Sequence, residues 1–484
     1  MAAVAVFLVR VTPWLLSDLW YDEIVTLTDF AIGPRHDASI LHVFRSYPVA
    51  NNHVLFSAVA WCWVRFLQFS SAEYLLRMPS VAFGVLTLLW ILRDWPKWLG
   101  QRVAGVTAVL FAMSPVFCGF SWQLRGYSLS MLLGAVAVSG VMELTTGSHR
   151  RGLLLSVPAA FLLPLVIPTN ALLPAALLLV PVFLGAGDPS LAVRVRRVAP
   201  VAVATLLGCS YYLTILPQFL HAAKETQGWP NGWLVFGNVL LGLLAHLGPL
   251  LLLFAGRGRA VLRPPDASVE SWARLRLGWV LLLAGLVVVL VFVLALPSPP
   301  FPRVFLVFVP ALSLAVMLGV RDLGFWSRVQ PLMLIGLVVM HGYVWDRATT
   351  WLTQQQMRQG KYPQNLVQQF YRGDTELSGI CRKVRAGEWR DRLVVIVAEH
   401  DFPTFRYYWG LYMMDPALVL EGNDQARRKW GEQFAGRGYA IGAVALDEMA
   451  ASRLFGILDG SMSFAVQHQA GGRALYVAVR PDAP

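Results

Sequence analysis

The sequence predicts a polytopic α-helical membrane protein with a small C-terminal soluble α/β domain. Hydrophobic residues make up 56% of its 484 residues and charged residues only 14%, whereas charged residues are roughly 25% of an ordinary soluble domain. Many apolar runs approach the roughly 20 residues that cross a bilayer. Two of these runs, residues 278–296 and 304–320, contain no charge.

The apolar runs predict about 11 transmembrane helices. They lie near residues 2–19, 78–92, 103–118, 122–142, 152–168, 170–186, 198–216, 234–256, 277–296, 303–320 and 329–346. The transmembrane part is therefore expected to cover residues 1–346. Arg10 lies in the middle of the first run, so either it faces the protein interior or the helix starts before the first residue given.

A first loop, residues 20–77, separates the first two predicted spans. It contains two candidate juxtamembrane helices, residues 36–47 and 54–67. Residues 54–67 are apolar, but the run is short and Arg65 interrupts it. We therefore expect this helix to lie at the membrane interface, where Trp61, Trp63 and Arg65 are typical residues, and not to cross the bilayer.

The formal net charge of +12 suggests either nucleic-acid binding or a membrane topology bias. Fifteen basic residues fall in the loops after even-numbered spans: Arg93, Lys97, Arg102, Arg150, Arg151, Arg194, Arg196, Arg197, Arg257, Arg259, Arg263, Arg274, Arg276, Arg321 and Arg328. The short loops on the other side hold three, Arg125, Lys224 and Arg303. This is the positive-inside pattern. It places the first loop and the C-terminal region on the outer face and predicts no nucleic-acid partner.

The composition changes after residue 346, which predicts a separate domain over residues 347–484. A polar segment is followed by candidate strands at residues 393–398, 439–446 and 475–479, with a helical stretch at residues 424–434. The region is long enough for its own core. The four cysteines of the chain are scattered and form no CxxC pair, so they indicate neither a disulfide framework nor a zinc site.

Asp22 and Glu23 are adjacent acids directly after the first predicted span. Carboxylates at the mouth of a membrane span are costly unless they have partners or a task. Sugar transfer to a hydroxyl needs a base for the acceptor proton, and a carboxylate suits that role. Adjacent acids point in different directions, so at most one serves as the base. Alternatively, both are solvated residues at a helix end.

Three further segments follow in a characteristic order. They are Pro48…Asn51-Asn52-His53 in the first loop, Leu76-Arg77-Met78-Pro79-Ser80 at the second span, and Gln123-Leu124-Arg125-Gly126-Tyr127 in the next outer loop; Pro302-Arg303 comes later. Together with the acidic pair, this order resembles the GT-C glycosyltransferases. It is most similar to the bacterial branch grouped with protein O-mannosyltransferases and the aminoarabinose transferase of lipid A. The sequence departs from that pattern at residues 51–53, where the family usually has His/Lys-Pro-Pro.

The resemblance implies a role for each of these residues. Asp22 would be the general base, and Glu23 would position the acceptor or a divalent cation. Arg125, Arg303 and Arg77 would bind the donor phosphate, since guanidinium suits phosphate bidentately. For these arginines, snorkelling at a span end or pairing with the two acids are the alternatives.

The resemblance also points to substrate contacts from Asn52, His53 and Tyr127. His53 would bind the sugar or a metal, with a hydrogen-bonded structural role as the alternative. Tyr127 would contact the donor, and an ordinary interfacial aromatic residue is its alternative. Beyond a possible divalent cation, the sequence predicts no cofactor.

The predicted function is transfer of a sugar from a polyprenyl-phosphate donor to a hydroxyl of a lipid, glycan or protein acceptor. The reaction would invert the anomeric centre, at the outer face of a bacterial inner membrane. A transporter or flippase for a lipid or sugar is the alternative, although neither a clear internal repeat nor many charges near the bilayer midplane are evident. A membrane scaffold that presents the C-terminal domain is a further possibility.

Overall fold

The computed structural model describes residues 1–33, 38–48, 52–146, 148–184, 190–225, 231–257, 269–323, 331–358, 377–387, 392–398, 401–412, 414–435, 437, 439–445, 448–458, 464–470 and 473–478. Two large hydrophobic cores organise them, beside two small clusters of buried residues. The larger core is built from residues between Ala3 and Val338. The smaller core uses residues between Leu377 and Val477, and we call residues 377–478 the sheet region.

The larger core is formed by helices. The α-helices span Ala2–Leu15, Tyr21–Val25, Ile40–Arg45, Val54–Phe66, Glu73–Leu76, Met78–Asp94, Pro96–Leu99, Gln101–Met113, Pro115–Ser121, Tyr127–Thr146, His149–Val166, Leu172–Leu184, Leu191–Ser210, Leu216–Glu225, Gly232–Leu247, Pro249–Gly256, Val269–Ala295, Val309–Val320 and Pro331–Arg358. Shorter 3-10 segments lie at Pro168–Ala171, Tyr211–Ile215 and Pro302–Phe308, and a π-helical segment lies at Thr26–Ala31.

The chain is an integral membrane protein, and each of the eleven predicted spans overlaps a helix. Within the described residues, four helices are long and apolar enough to cross a membrane, or up to six if each of two bent pairs forms one span. The exact count of eleven therefore stays a prediction. Several predicted spans are shorter helices, such as Ala2–Leu15 and Pro168–Leu184.

The predicted third span is a broken helix. Its two halves, Gln101–Met113 and Pro115–Ser121, meet at an angle of 63°. Ser114 between them is extended, and its hydroxyl accepts a hydrogen bond from the backbone N–H of Phe117. Pro115 has no N–H to donate, so it starts a new helix readily but does not continue the old one.

Arg10 faces the protein interior and ties this break to the last membrane helix. Its Nη2 lies 2.7 Å from each carboxylate oxygen of Asp346. Its Nη1 donates to the carbonyl oxygen of Met113, 2.7 Å away, at the end of the first half-helix. A carbonyl freed by a helix break needs a partner inside a membrane, and Arg10 supplies one.

Small residues let the helices around the functional site approach closely. A Cβ added at Gly134, in helix Tyr127–Thr146, would lie 2.6 Å from the carbonyl oxygen of Val307 in the 3-10 segment that carries Arg303. Close backbone approach through small residues is a common way to pack membrane helices. Gly134 therefore allows the helix that begins at Tyr127 to pack closely against the segment that carries Arg303.

The sheet region contains a five-stranded sheet of order β2-β1-β3-β5-β4. The strands are Leu393–Val397 (β1), Val419–Glu421 (β2), Ala440–Ala445 (β3), Phe464–Ala470 (β4) and Arg473–Ala478 (β5). β1 pairs in parallel with β2 and β3, and β5 pairs antiparallel with β3 and β4. Opposite Val395 of β1 lie Val419 on one side and Gly442 on the other.

Helices Leu377–Ala386, Phe402–Leu411, Asp424–Lys429 and Glu448–Leu458 pack around this sheet, with short segments Pro416–Leu418 and Trp430–Phe434. The three strands and the helical stretch predicted from the sequence overlap β1, β3, β5 and the helices from Asp424 to Phe434. β1 is buried along its whole length, which explains its continuous apolar sequence.

Gly134→Ala should lower the free energy of unfolding of the full-length protein in detergent by about 1 to 3 kcal/mol, which a lower melting temperature would report. The added methyl group meets a backbone oxygen that has little room to move. The matched control is Gly105→Ala, where an added Cβ has no neighbour within 4 Å. The control should be neutral or stabilising by up to about 1 kcal/mol. Equal melting temperatures for the two variants would contradict the close approach.

Candidate functional site

The acidic pair lies on the short helix Tyr21–Val25, which starts the first loop. Trp20 precedes it in an extended conformation, and the carboxylate of Glu23 accepts a hydrogen bond from the Trp20 N–H at 3.1 Å. Successive residues on a helix point about 100° apart. Asp22 and Glu23 accordingly reach different partners.

Glu23 is fully buried and forms an ion pair with Arg77. Nε of Arg77 donates to Oε1 at 2.9 Å, and Nη2 donates to Oε2 at 2.7 Å. Oε1 also accepts from the backbone N–H of Leu124 at 2.6 Å. With the Trp20 contact, both oxygens of Glu23 are engaged by the protein. This geometry favours a structural role over contact with an acceptor or a cation.

The remaining donors of Arg77 hold the end of the first helix. Nη1 donates to the carbonyl oxygens of Ser17 at 2.6 Å and Trp14 at 2.9 Å, and Nη2 donates to that of Asp18 at 2.8 Å. The guanidinium also lies over the Trp122 ring, 4.7 Å from its centroid. Of the two alternatives for Arg77, the geometry favours pairing with an acid over binding a phosphate.

Asp22 pairs with the second arginine. Its Oδ2 lies 3.0 Å from Nη2 of Arg303, and the two side chains are 5% and 12% exposed. Arg303 also forms a hydrogen bond with the Tyr127 side chain, and its guanidinium lies 5.6 Å from the Trp20 ring centroid. Asp22 and Arg303, which are far apart in the sequence, thus form an ion pair that is slightly exposed.

Arg125 joins the same cluster from the segment between helices Pro115–Ser121 and Tyr127–Thr146. Its Nη1 donates to Oγ1 of Thr26 at 2.8 Å and to the carbonyl oxygen of Asp22 at 3.3 Å. Its Nη2 lies 3.0 Å from Nε2 of His53. The side chain is buried.

The protonation of His53 follows from its surroundings. Burial lowers the pKa of the imidazole well below its usual value, and the charges of Arg125 and Arg303 lower it further. The ring is therefore neutral at neutral pH, and its Nδ1 accepts a hydrogen bond from the backbone N–H of Gly126 at 2.9 Å. A neutral imidazole accepts at one nitrogen and donates at the other. The two ring nitrogens each face a donor, the Gly126 N–H at Nδ1 and the Arg125 guanidinium at Nε2, and a neutral ring accepts from only one of them at a time.

Tyr127 and Asn52 complete the set predicted from the sequence. The Tyr127 ring is buried and packs edge-to-face on His53, with centroids 5.0 Å apart. The Asn52 amide donates to the carbonyl oxygens of Val43 and Ser46 and accepts from the Ser57 hydroxyl. Asn52 therefore connects the two first-loop helices, and its geometry favours this role over substrate contact.

The structure brings seven of the eight predicted site residues into one cluster, with Asn52 at its edge. The prediction missed Trp20, Thr26 and the backbone N–H of Leu124. It also missed Asp18, an acid at the same span mouth. Throughout the described part of the chain, no three His, Cys, Asp or Glu side chains come together as a metal site.

Asp18 is 7% exposed and links the first loop to the sheet region. Its Oδ2 accepts a hydrogen bond from the backbone N–H of Ser378 at 2.7 Å. Burial raises the pKa of the Asp18 carboxyl to about 6 against the lowering effect of the Ser378 hydrogen bonds, and the charge of Glu73 adds to the rise.

The sequence matches no protein-family model and no curated protein. The fold is similar to that of ArnT from Cupriavidus metallidurans at 14% sequence identity. The apo crystal structure of ArnT gives a TM-score of 0.56 and covers 99% of this chain and 97% of that chain. The crystal structure of ArnT bound to undecaprenyl phosphate gives 0.55 and covers 99% and 98%. The GT-C fold expected from the order of the motifs is confirmed.

Arg77→Met should destabilise the protein by about 3 kcal/mol or more, because it leaves a buried Glu23 carboxylate without its ion-pair partner. The measurement is the thermal midpoint in detergent. The double variant Glu23→Leu with Arg77→Met removes both charges, so it should recover part of this loss. A single variant as stable as wild type would rule out the pair as a structural element.

Asp18→Asn should flatten the dependence of stability on pH. The folded-state pKa of Asp18 lies above the ordinary aspartate value of 3.8, so protonation of this carboxyl stabilises the folded state. Its contribution, at most about 3 kcal/mol for a rise of this size, is complete below pH 4 and is lost as the pH rises through 6. Wild type should therefore lose more stability than Asp18→Asn between pH 5 and pH 7.5. Identical slopes in thermal melts across this range would exclude the effect.

Proposed function

We propose that this protein is a membrane glycosyltransferase that moves a sugar from a polyprenyl-phosphate carrier to an acceptor hydroxyl. The observation that carries the proposal is the arrangement of one carboxylate, Asp22, beside two guanidinium groups and a neutral imidazole. ArnT, whose fold this chain shares, binds undecaprenyl phosphate. A base beside a cluster of anion-binding groups is what such a transfer needs.

Arg303, Arg125 and His53 are the proposed phosphate ligands. Nε2 of His53 and Nη2 of Arg125 are 3.0 Å apart, so one anionic oxygen could lie within hydrogen-bond distance of both groups. Charge-assisted hydrogen bonds of this kind are roughly twice as strong as neutral ones. Arg77 is assigned no such contact, because its donors are engaged by Glu23 and backbone carbonyls.

In the proposed step, the acceptor oxygen attacks the anomeric carbon of the donor sugar while the bond from that carbon to the phosphate oxygen breaks. The acceptor proton moves to Asp22. The polyprenyl phosphate leaves with the bonding electron pair, and Arg125 and Arg303 stabilise its growing negative charge. Attack from the face opposite the departing phosphate inverts the anomeric centre.

The ion pair between Asp22 and Arg303 would determine when Asp22 can act as a base. A carboxylate paired with an arginine is a weakened base, because the positive charge favours its ionised form. A donor phosphate competes with Asp22 for the same guanidinium. Donor binding would then release the Asp22 carboxylate when the donor sugar is in place, and Glu23, held by Arg77, would keep the turn in position.

We further propose that the site faces outward from a bacterial inner membrane, with residues 1–346 as the catalytic membrane domain and residues 347–484 as an extracytoplasmic domain. The distribution of basic loops supports this orientation. The acceptor would be a lipid, glycan or protein that reaches the outer face.

Asp22→Asn should reduce transfer by about 100-fold to 10,000-fold, the range typical of a lost general base. The assay uses radiolabelled polyprenyl-phosphate sugars and cell-envelope acceptors with the purified full-length protein. Binding of polyprenyl phosphate itself should persist or tighten, because Arg303 loses its intramolecular competitor. Size-exclusion chromatography and thermal melts establish that the variant is folded.

The matched control is Asp29→Asn, a half-buried acid in the same first-loop segment whose Oδ1 accepts a hydrogen bond from Thr28. It should transfer sugar at close to the wild-type rate. If Asp22→Asn retained transfer within about 10-fold of wild type, Asp22 would not be the base. Wild type that transferred no sugar from any donor would favour the transporter alternative.

A further inference from the structure

A buried tyrosine of the sheet region contacts both the first loop and the residue directly before it. Tyr408, in helix Phe402–Leu411, is 1% exposed. Its hydroxyl accepts a hydrogen bond from the backbone N–H of Leu19 at 2.7 Å and donates one to Oε1 of Glu73 at 2.9 Å. Burial, with the charges of Asp18 and Glu73, raises the pKa of Tyr408, so the phenol keeps its proton for the second bond.

The helix that carries Tyr408 is fixed within its own region. Asp401, directly before the helix, forms a buried ion pair with Arg473 at the start of β5, with Nε and Oδ2 2.7 Å apart. Phe405 and Trp409 of the same helix are fully buried in the core of the sheet region. Tyr408 thus projects from a helix that is anchored in the core of the sheet region.

A second contact lies beside the first. The Asp18 carboxylate accepts from the N–H of Ser378, in the first turn of helix Leu377–Ala386. The first N–H groups of a helix have no partner within the helix, and a carboxylate there is favoured by the helix dipole. The side chain of Asp18, just before the first loop, therefore caps a helix of the sheet region.

These two contacts act on the segment that leads to Asp22. Leu19 is held by Tyr408, and Asp18 is held by Ser378 through its side chain and by Arg77 through its carbonyl oxygen at 2.8 Å. Arg77 in turn binds Glu23, the neighbour of Asp22. Residues 18–23 are therefore held by hydrogen bonds from the sheet region on one side and by contacts with Arg77 on the other.

We propose that the sheet region is a positioning domain for the transfer reaction and that Tyr408 is its positioning residue. Resting on the function proposed above, this inference assigns to the region the task of setting where the Asp22 carboxylate stands relative to Arg303. Tyr408 touches no reacting atom; it acts through Leu19 and Glu73. A displacement of about 1 Å at a reacting group can cost about 100-fold in rate, so the loss of this contact is measurable.

The test compares Tyr408→Phe with Tyr439→Phe in full-length protein. Both substitutions delete one hydroxyl from the same region, but Tyr439 packs on the core of the sheet region beside β3, with Phe434 at 5.3 Å between ring centroids. Tyr408→Phe should lower kcat about 10-fold or more with a smaller change in the KM of the donor. Tyr439→Phe should change neither.

Two substitutions of Glu73 separate a loss of positioning from a general loss of stability. Glu73→Gln keeps an oxygen that accepts from Tyr408 and should retain most of the wild-type kcat, whereas Glu73→Leu should lose as much as Tyr408→Phe. Hydrogen exchange provides a readout that does not depend on activity. Exchange at residues 17–26 should rise in Tyr408→Phe while exchange in β1 and β3 stays at the wild-type level.

The outcomes decide between the two proposals. Wild-type kcat in folded Tyr408→Phe, or unchanged exchange at residues 17–26, would overturn the positioning role while leaving the proposed function intact. If wild type transferred no sugar at all, the proposed function would fall and the positioning role would fall with it, whatever the exchange at residues 17–26. Parallel losses in Tyr408→Phe and Tyr439→Phe would also overturn the role, because they would show a nonspecific effect.

Discussion

The buried guanidinium of Arg77 is the constraint on which the arrangement of the first loop depends. A fully desolvated charge is tolerated only if an opposite charge and further hydrogen bonds surround it. Glu23 supplies the charge, and carbonyl oxygens from the end of the first helix supply the bonds. This requirement constrains the path of the chain into the first loop, because a path that moved these carbonyl oxygens away would leave donors of Arg77 without acceptors.

The same device recurs at other junctions between distant parts of the chain. Arg10 and Asp346 join the first and last described membrane helices, and Asp22 and Arg303 join the first loop to a late segment. Buried ion pairs add little net stability compared with apolar packing, but an unpaired partner is very costly. In a bundle whose lipid-facing and core residues are equally apolar, such pairs distinguish the correct arrangement of helices from others that bury similar area.

Much of the site follows from the sequence, because polar residues at the ends of apolar runs have few places to go. Asp22, Arg125 and Arg303 each lie at a predicted span end on the same side of the membrane, so their convergence was predictable from topology and motif order. The continuous apolar run of β1 likewise predicted a buried strand. These features depend on local composition and on the two-sided geometry of a bilayer.

The sequence does not predict which residues of the site pair with each other. Whether Arg77 pairs with Glu23 or binds a ligand depends on side-chain geometry, and both outcomes place the same residue at the same span end. The contact between Leu19 and Tyr408 joins residues almost 400 positions apart, and no periodicity signals it. The span count also stayed open, because breaks such as the one at Ser114 divide an apolar run that looks continuous.

The adjacency of Asp22 and Glu23 explains how one short helix holds both a fully buried and a slightly exposed ion pair. Because neighbouring side chains diverge by about 100°, Glu23 turns to the fully buried Arg77, while Asp22 turns to Arg303, which is 12% exposed. A phosphate could reach the second arginine but not the first. In the proposed reaction, the Glu23–Arg77 pair would keep the helix in place while the Asp22–Arg303 pair opens, and Glu23 would be the fixed neighbour of a base that exchanges its partner.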